Sequence, residues 1–99
     1  MDIKNNRKLS ELWQARIMLD GNAKSLRKVK EELAELIVAI SHLEDGRGSF
    51  YEVFDEVADV TLQIDKLVVL AKDKKYRLFC NKQIQKKYDY LESITLWKI

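Results

Sequence analysis

Apolar side chains recur at intervals of three and four residues along most of the chain, which is the spacing of amphipathic helices. The first such stretch contains Leu9, Trp13 and Ile17 and ends at Asp20-Gly21-Asn22. A second helix is predicted over residues 23–43. Its apolar positions follow heptad steps, and such a face packs against another helix. These positions are Val29, Leu33, Leu36, Ile40 and Leu43, with Ile37 beside them.

The clearest turn signal is Asp45-Gly46-Arg47-Gly48, and a capping box of Ser49 and Glu52 follows it. A third amphipathic helix is predicted from there, over residues 49–72. A polar break follows, in which Asp73 is suited to cap a fourth helix. The pattern therefore predicts four helices in succession.

Composition supports a helical protein. The 99 residues include no proline and three glycines, too few for the frequent turns of a β-rich fold. We predict a single all-α domain over residues 1–99, an antiparallel bundle of about four helices whose core hairpin is formed by residues 23–43 and 49–72. A domain of this size buries a modest share of its surface, so a partner subunit would stabilise it. A homodimer and a homotetramer are both compatible with the pattern.

The net charge of +2 conceals a strong division along the chain. Residues 1–30 carry eight basic and three acidic side chains, and residues 66–99 carry nine and three. Residues 31–65, by contrast, carry ten acidic side chains and one basic side chain. An acidic middle is thus flanked by two basic segments, and any function assigned to the chain has to explain this layout.

Several site classes are excluded by composition. Cys80 is the only cysteine and His42 the only histidine, so an internal disulfide and a Cys/His zinc site are both ruled out. His42 fits the favourable end of the second helix. The chain has no apolar run near 18 residues and no apolar signal segment at its start, so we expect a cytoplasmic protein that does not enter a membrane.

The acidic middle contains two pairs of carboxylates at helical spacing. Glu32 and Glu35 lie on the second helix, and Glu56 and Asp59 lie on the third. Residues three apart on a helix are neighbours. If the two helices form an antiparallel hairpin at Asp45-Gly46, both pairs lie at the same depth, about 18 Å from the turn. Both pairs also lie to the same rotational side of their apolar stripes.

Four carboxylates would therefore converge at one edge of the core. Such oxygen ligands suit Mg²⁺, with Mn²⁺ as a substitute. A di-iron site is excluded because it needs two Glu-x-x-His motifs, and the single His42 lies in neither pair. The simpler alternative is that the acids form a solvated helix face, as acidic side chains on helices usually do.

Residues 30–40, Lys-Glu-Glu-Leu-Ala-Glu-Leu-Ile-Val-Ala-Ile, followed by Glu-Val-Ala-Asp-Val at 56–60, resemble the MazG-like nucleoside triphosphate pyrophosphohydrolases. The hallmark of that family is Glu-x-x-Glu, a variable gap and Glu-x-x-Asp on two antiparallel helices. The resemblance covers about residues 27–70. It implies an Mg²⁺-dependent enzyme that cleaves a nucleoside triphosphate between its α- and β-phosphates. Four acids would hold the metal and serve catalysis: Glu32, Glu35, Glu56 and Asp59.

The resemblance also implies cations on the fourth helix that contact the phosphates. Lys82 and Lys86 match that role by their i, i+4 spacing, and Lys75 and Arg77 are possible substitutes. Ile84 stands where the family often has an asparagine, which leaves the nucleotide preference open. This altered stretch also motivates an alternative function, a regulatory or adaptor module that keeps the bundle without turnover.

Two further interpretations of the sequence were weighed. The basic segment 72–87 contains aromatic residues, as a nucleic-acid patch would, but their helical spacing and the acidic middle of the chain disfavour nucleic acid as a partner. Trp13 could stack on a nucleobase, yet its apolar neighbours favour a place in the core or in a subunit interface.

Overall fold

The computed structural model describes residues 6–99. Residues 1–5, to which the prediction of no apolar signal segment applies, lie outside the described residues. Four α-helices and no strand make up the described part, which confirms the predicted all-α bundle. Their bounds are α1 Arg7–Asp20, α2 Asn22–Glu44, α3 Phe50–Leu70 and α4 Lys74–Leu96. Within residues 6–99, no helix has both the length and the apolar character needed to cross a membrane.

The Ser49 half of the predicted capping box closes the α2–α3 turn, whereas the Glu52 carboxylate, which was expected to reach back to Ser49, contacts His42. Ser49 Oγ accepts a hydrogen bond from the Glu52 N–H at 3.2 Å, which caps α3. The Glu52 carboxylate lies 2.9 Å from Nδ1 of His42, so it joins the end of α2 to the start of α3. A Cβ on Gly48 would lie 2.8 Å from Glu52 Oε2 and 3.0 Å from the His42 Cβ, so a larger residue there would displace the Glu52 side chain and crowd His42.

The face that α2 turns toward α3 differs from the predicted heptad face. Val29 is buried as expected, but Leu33 and Ile40 remain 44% and 48% exposed. Ser25 and Ala39 are buried instead, and these small side chains let the two helices approach closely. The buried residues of α3 are Val53, Val60, Gln63 and Lys66. The hairpin interface is therefore more polar than the sequence pattern suggested.

The other two helices attach to this hairpin unequally. Helix α1 packs on both α2 and α3, whereas the backbone of α4 approaches only α3 within the described part of the chain. None of the α4 side chains is buried. Asp73 caps α4 as predicted, accepting a hydrogen bond from the Lys75 N–H at 2.9 Å. Helix α4 is thus the most loosely attached member of the bundle.

One side of the hairpin carries large apolar side chains that the described residues, 6–99, leave largely exposed. Successive residues of a helix are rotated by about 100°, which places these side chains on one side of the buried residues of both α2 and α3. The two acidic pairs lie on the opposite side of those buried residues. Their exposure ranges from 44% to 67%. We call this set the uncovered apolar face, and its members are Leu33, Ile37, Ile40, Phe50 and Phe54.

Candidate metal centre

Four carboxylates from α2 and α3 converge opposite the uncovered apolar face. Each offers one oxygen, and these four oxygens all lie within 4.8 Å of one another. We call this group the acidic cluster, and it consists of Glu32, Glu35, Glu56 and Asp59. The structure therefore brings together all four acids that the motif spacing singled out. Their role in binding a metal stays a prediction.

Burial differs among the members of the acidic cluster. Glu32 is only 7% exposed and Glu56 is half-buried, whereas Glu35 and Asp59 are exposed. The Oε2 atoms of Glu32 and Glu56 are both buried and have no hydrogen-bond partner. A buried carboxylate oxygen without a partner is costly, so these two atoms indicate that a cation or another donor belongs beside them.

Lys28 holds Glu32 in place from one turn earlier on α2. Its Nζ lies 3.0 Å from Glu32 Oε1 and 3.6 Å from Glu31 Oε2. The hydrogen bond to Glu32, followed by the charge of that carboxylate, raises the pKa of Lys28. Because Lys28 occupies Oε1, the buried Oε2 of Glu32 is the atom left without a partner.

The acidic cluster also shows the electrostatic effect of crowded carboxylates. Burial, and then the negative charges of Glu35, Asp59, Asp55 and Glu32, raise the pKa of Glu56. A like charge nearby disfavours the ionised form of a carboxyl group, and burial acts in the same direction. A cation bound between these groups would reverse both effects, since it favours their ionised forms.

The size and chemistry of the acidic cluster fit a hard divalent cation. Ligands 2.0–2.1 Å from Mg²⁺ in an octahedron lie at most about 4.2 Å apart. The four oxygens lie up to 4.8 Å apart, so side-chain movements of a few tenths of an ångström would bring all four within bonding distance of one ion. All four ligands are oxygens, which favours Mg²⁺ or Mn²⁺ over metals that prefer nitrogen or sulfur.

The cations predicted on α4 form no ion pair with the acidic cluster within residues 6–99. Lys82 and Lys86 are exposed, and neither is within ion-pair distance of any carboxylate among residues 6–99. Lys75 pairs with Asp73 at 3.9 Å and lies over the Tyr76 ring. Arg77 is half-buried on the same helix. A phosphate-binding role for Lys82 and Lys86 stays a prediction.

Reasoning from the sequence missed three residues beside the acidic cluster: Lys28, Gln63 and Lys66. The Lys28–Glu32 pair could have been found, because i, i+4 spacing on a helix favours such contacts. Gln63 and Lys66 are buried in the hairpin, at 8% and 3% exposure. No pattern signals them, since polar residues on a helix ordinarily face solvent.

Compared with protein-family models, with curated proteins and with solved structures, the chain gave no match.

Proposed function

We propose that the protein is a Mg²⁺-dependent nucleoside triphosphate pyrophosphohydrolase that releases a nucleoside monophosphate and pyrophosphate. The observation that carries this proposal is the acidic cluster, whose four carboxylate oxygens lie within 4.8 Å of one another. Two of its members, Glu32 and Glu56, each have a buried oxygen without a hydrogen-bond partner, and a cation would satisfy both. The resemblance of residues 27–70 to the MazG-like enzymes supplies the reaction.

Each part of the acidic cluster has a distinct role in this proposal. Glu32, which is buried, and Glu56, which is half-buried, form the floor of the cluster, and the α2–α3 packing sets their positions. Glu35 and Asp59 lie at the exposed rim, where a substrate can reach them. Lys28 fixes the orientation of Glu32 through its 3.0 Å contact. When bound, the divalent cation supplies neutralisation of the phosphate charge and polarisation of the bond to be cleaved.

The proposal predicts a specific set of products. Purified protein with Mg²⁺ and a panel of nucleoside triphosphates should release the monophosphate and pyrophosphate in equal amounts, measured by chromatography of the nucleotides. Glu35→Gln and Asp59→Asn each remove one ligand oxygen charge and should lower turnover by more than about 100-fold, since even groups that only orient metal ligands matter 10- to 100-fold.

Asp55→Asn is the matched control for these variants. Asp55 is an exposed acid on α3 outside the acidic cluster, so its loss removes the same charge without removing a ligand. Turnover by this variant should stay within a few-fold of the wild type. Release of a nucleoside diphosphate and phosphate, or equal turnover by all three variants, would contradict the proposed reaction.

A regulatory or adaptor module with the same bundle is the second candidate, favoured by the loose attachment of α4, which carries the altered lysine stretch. A metal titration separates the two functions. At 100 times its dissociation constant, Mg²⁺ bound only to the folded protein adds about 2.7 kcal/mol, or roughly 10–20 °C in melting temperature for a domain of this size. Differential scanning fluorimetry measures this shift, and an adaptor predicts none.

A further inference from the structure

A cavity of about 620 Å³ lies between α1, α2 and α3, directly beside the acidic cluster. Lys28 connects the two, because it lines the cavity and also contacts Glu32 of the cluster at 3.0 Å. Gln63, one helical turn beyond Asp59 on α3, lines the cavity as well. The volume is in the range of small-molecule sites in proteins. The cavity and the acidic cluster therefore adjoin at Lys28.

The cavity wall carries an excess of positive charge. Its acidic residues are Asp20 and Glu31. Its five cationic side chains are Arg16, Lys24, Arg27, Lys28 and Lys66. Such an excess favours an anionic occupant, because a concave site of one sign attracts ligands of the opposite sign.

Two of these cations lack a carboxylate partner. Asp20 pairs with Arg16 at 2.9 Å and with Lys24 at 3.6 Å, and Lys28 contacts Glu31 and Glu32. Among residues 6–99, neither Arg27 nor Lys66 lies within ion-pair distance of an acid. These two charges are therefore available to an anion that enters the cavity.

The wall of the cavity includes the buried side chains of Lys66 and Gln63, and two of its polar atoms are buried without a hydrogen-bond partner. Lys66 is 3% exposed, and its Nζ lies 5.4 Å from the centroid of the Trp13 ring. Gln63 is 8% exposed, and its Oε1 has no hydrogen-bond partner. Exchanging the two ends of this amide turns an N–H donor to the same place. Trp13 Nε1 is a further buried donor without an acceptor.

The Lys66 side chain is buried and forms no ion pair within residues 6–99, which is unfavourable for its charged form. Burial lowers the pKa of Lys66, because the low-polarity surroundings disfavour its charged form. Its cation–π contact with Trp13 offsets part of this cost. An anion at hydrogen-bond distance would offset far more, since charge-assisted hydrogen bonds are the strongest of their kind.

We propose that this cavity is a phosphate subsite, in which Lys66 and Arg27 bind the pyrophosphate portion of the substrate while the acidic cluster holds the cation. This inference rests on the proposed function and adds to it two phosphate-binding residues, Arg27 on α2 and Lys66 on α3, beside the lysines predicted on α4. It also assigns Trp13 to the phosphate subsite, where its indole N–H is a donor and its ring contacts Lys66.

Pyrophosphate is the probe that tests the subsite, because it is an anion with no base or sugar. Isothermal titration with the full chain in EDTA should detect pyrophosphate binding to the wild type. Lys66→Met and Arg27→Met should each weaken it about 10- to 100-fold, the usual effect of removing a hydrogen bond to a charged group. Lys66→Met removes a buried charge and keeps an apolar side chain of similar length, so it should still fold.

Lys30→Met is the matched control, since Lys30 is an exposed lysine of α2 outside the cavity. Its affinity for pyrophosphate should equal that of the wild type. The subsite would be overturned if all variants bound pyrophosphate equally well or if the wild type did not bind it. It would also be overturned if the wild type bound a nucleoside instead of pyrophosphate and Trp13→Ala abolished that nucleoside binding.

A parallel titration with Mn²⁺ alone distinguishes the two proposals. Lys66→Met should bind Mn²⁺ as the wild type does, because the acidic cluster is intact. If Mn²⁺ binds and pyrophosphate does not, the phosphate subsite is wrong and the metal centre stands. If pyrophosphate binds in a Lys66-dependent way and Mn²⁺ does not, the subsite stands and the metal-dependent function is wrong.

Discussion

Glu56→Gln is expected to raise the melting temperature of the metal-free protein at neutral pH and to abolish both its response to Mg²⁺ and its turnover. Burial and the neighbouring carboxylates raise the pKa of Glu56, so its ionised form is less favourable in the folded protein than in the unfolded chain. A glutamine keeps the shape of the side chain and removes this charge. It also removes one of the four oxygens that would bind the cation.

The pH dependence of this effect has a definite sign. Because the pKa of Glu56 is raised in the folded protein, that state binds its proton more tightly than the unfolded chain does. The free energy of unfolding therefore falls as the pH rises from 4.5, the ordinary pKa of a glutamate, through the raised pKa of Glu56. Below pH 4.5 Glu56 is protonated in both states, so the advantage of Glu56→Gln should disappear there.

Thermal unfolding in EDTA between pH 4 and pH 8 measures this difference. Melting curves of the wild type and Glu56→Gln should coincide at the acidic end and separate as the pH rises. Glu44→Gln, an exposed acid at the end of α2, should show no such separation. The opposite result would be a stability of Glu56→Gln, relative to the wild type, that falls between pH 4 and pH 7. It would mean that a partner stabilises this carboxylate in the metal-free fold.

The position of the acidic cluster could be predicted because it depends on few variables. Glu32 and Asp59 are the same number of residues from the Asp45-Gly46 step, as are Glu35 and Glu56. The observed connection extends over residues 45–49, and the α2–α3 hairpin still brings the four carboxylates together. Helices are rigid rods with a fixed rise per residue, and the Asp45-Gly46 turn sets the register. Local spacing was therefore sufficient for this part of the site.

The phosphate subsite could not be predicted in the same way. It depends on where α1 lies across the hairpin, and this places Trp13 beside Lys66, 53 positions later in the chain. It also depends on which side of a wide apolar stripe faces α3. The apolar stripe of α2 is wide enough for either Leu33 or Ala39 to lie at the centre of the contact with α3. The small side chain of Ala39 lets the two helices approach more closely.

The chain exposes more surface than a compact monomer of its size does, and association with a second copy, which stays a prediction, would cover part of it. Its accessible surface is 8154 Å², whereas a compact monomer of 11.7 kDa exposes about 5,900 Å². The radius of gyration of its Cα atoms is 16.2 Å, against about 12.6 Å for a compact chain of this length. The excess surface exceeds what one subunit contributes to a stable dimer, about 800 Å². The uncovered apolar face lies opposite the acidic cluster, so a partner can cover it without closing the site.

Ile37→Glu is therefore expected to convert an oligomer into a species of 11.7 kDa. Ile37 is 65% exposed near the middle of the uncovered apolar face, level with Phe54 on α3. A carboxylate there would be buried without a partner in the interface, which costs several kcal/mol per ion. Sedimentation velocity of the wild type and the variant measures the change.

Val38→Glu is the control, because Val38 is 52% exposed on the next position of α2 and points about 100° away from Ile37. Introducing the same charge there should leave the assembly intact. Dissociation by both substitutions would show that added charge alone is responsible. A wild type that sediments as a monomer at tens of micromolar would show that the uncovered apolar face is not a subunit interface. Loss of assembly by Ile37→Glu with retention by Val38→Glu places the second copy on the side of the hairpin that leaves the acidic cluster open to substrate.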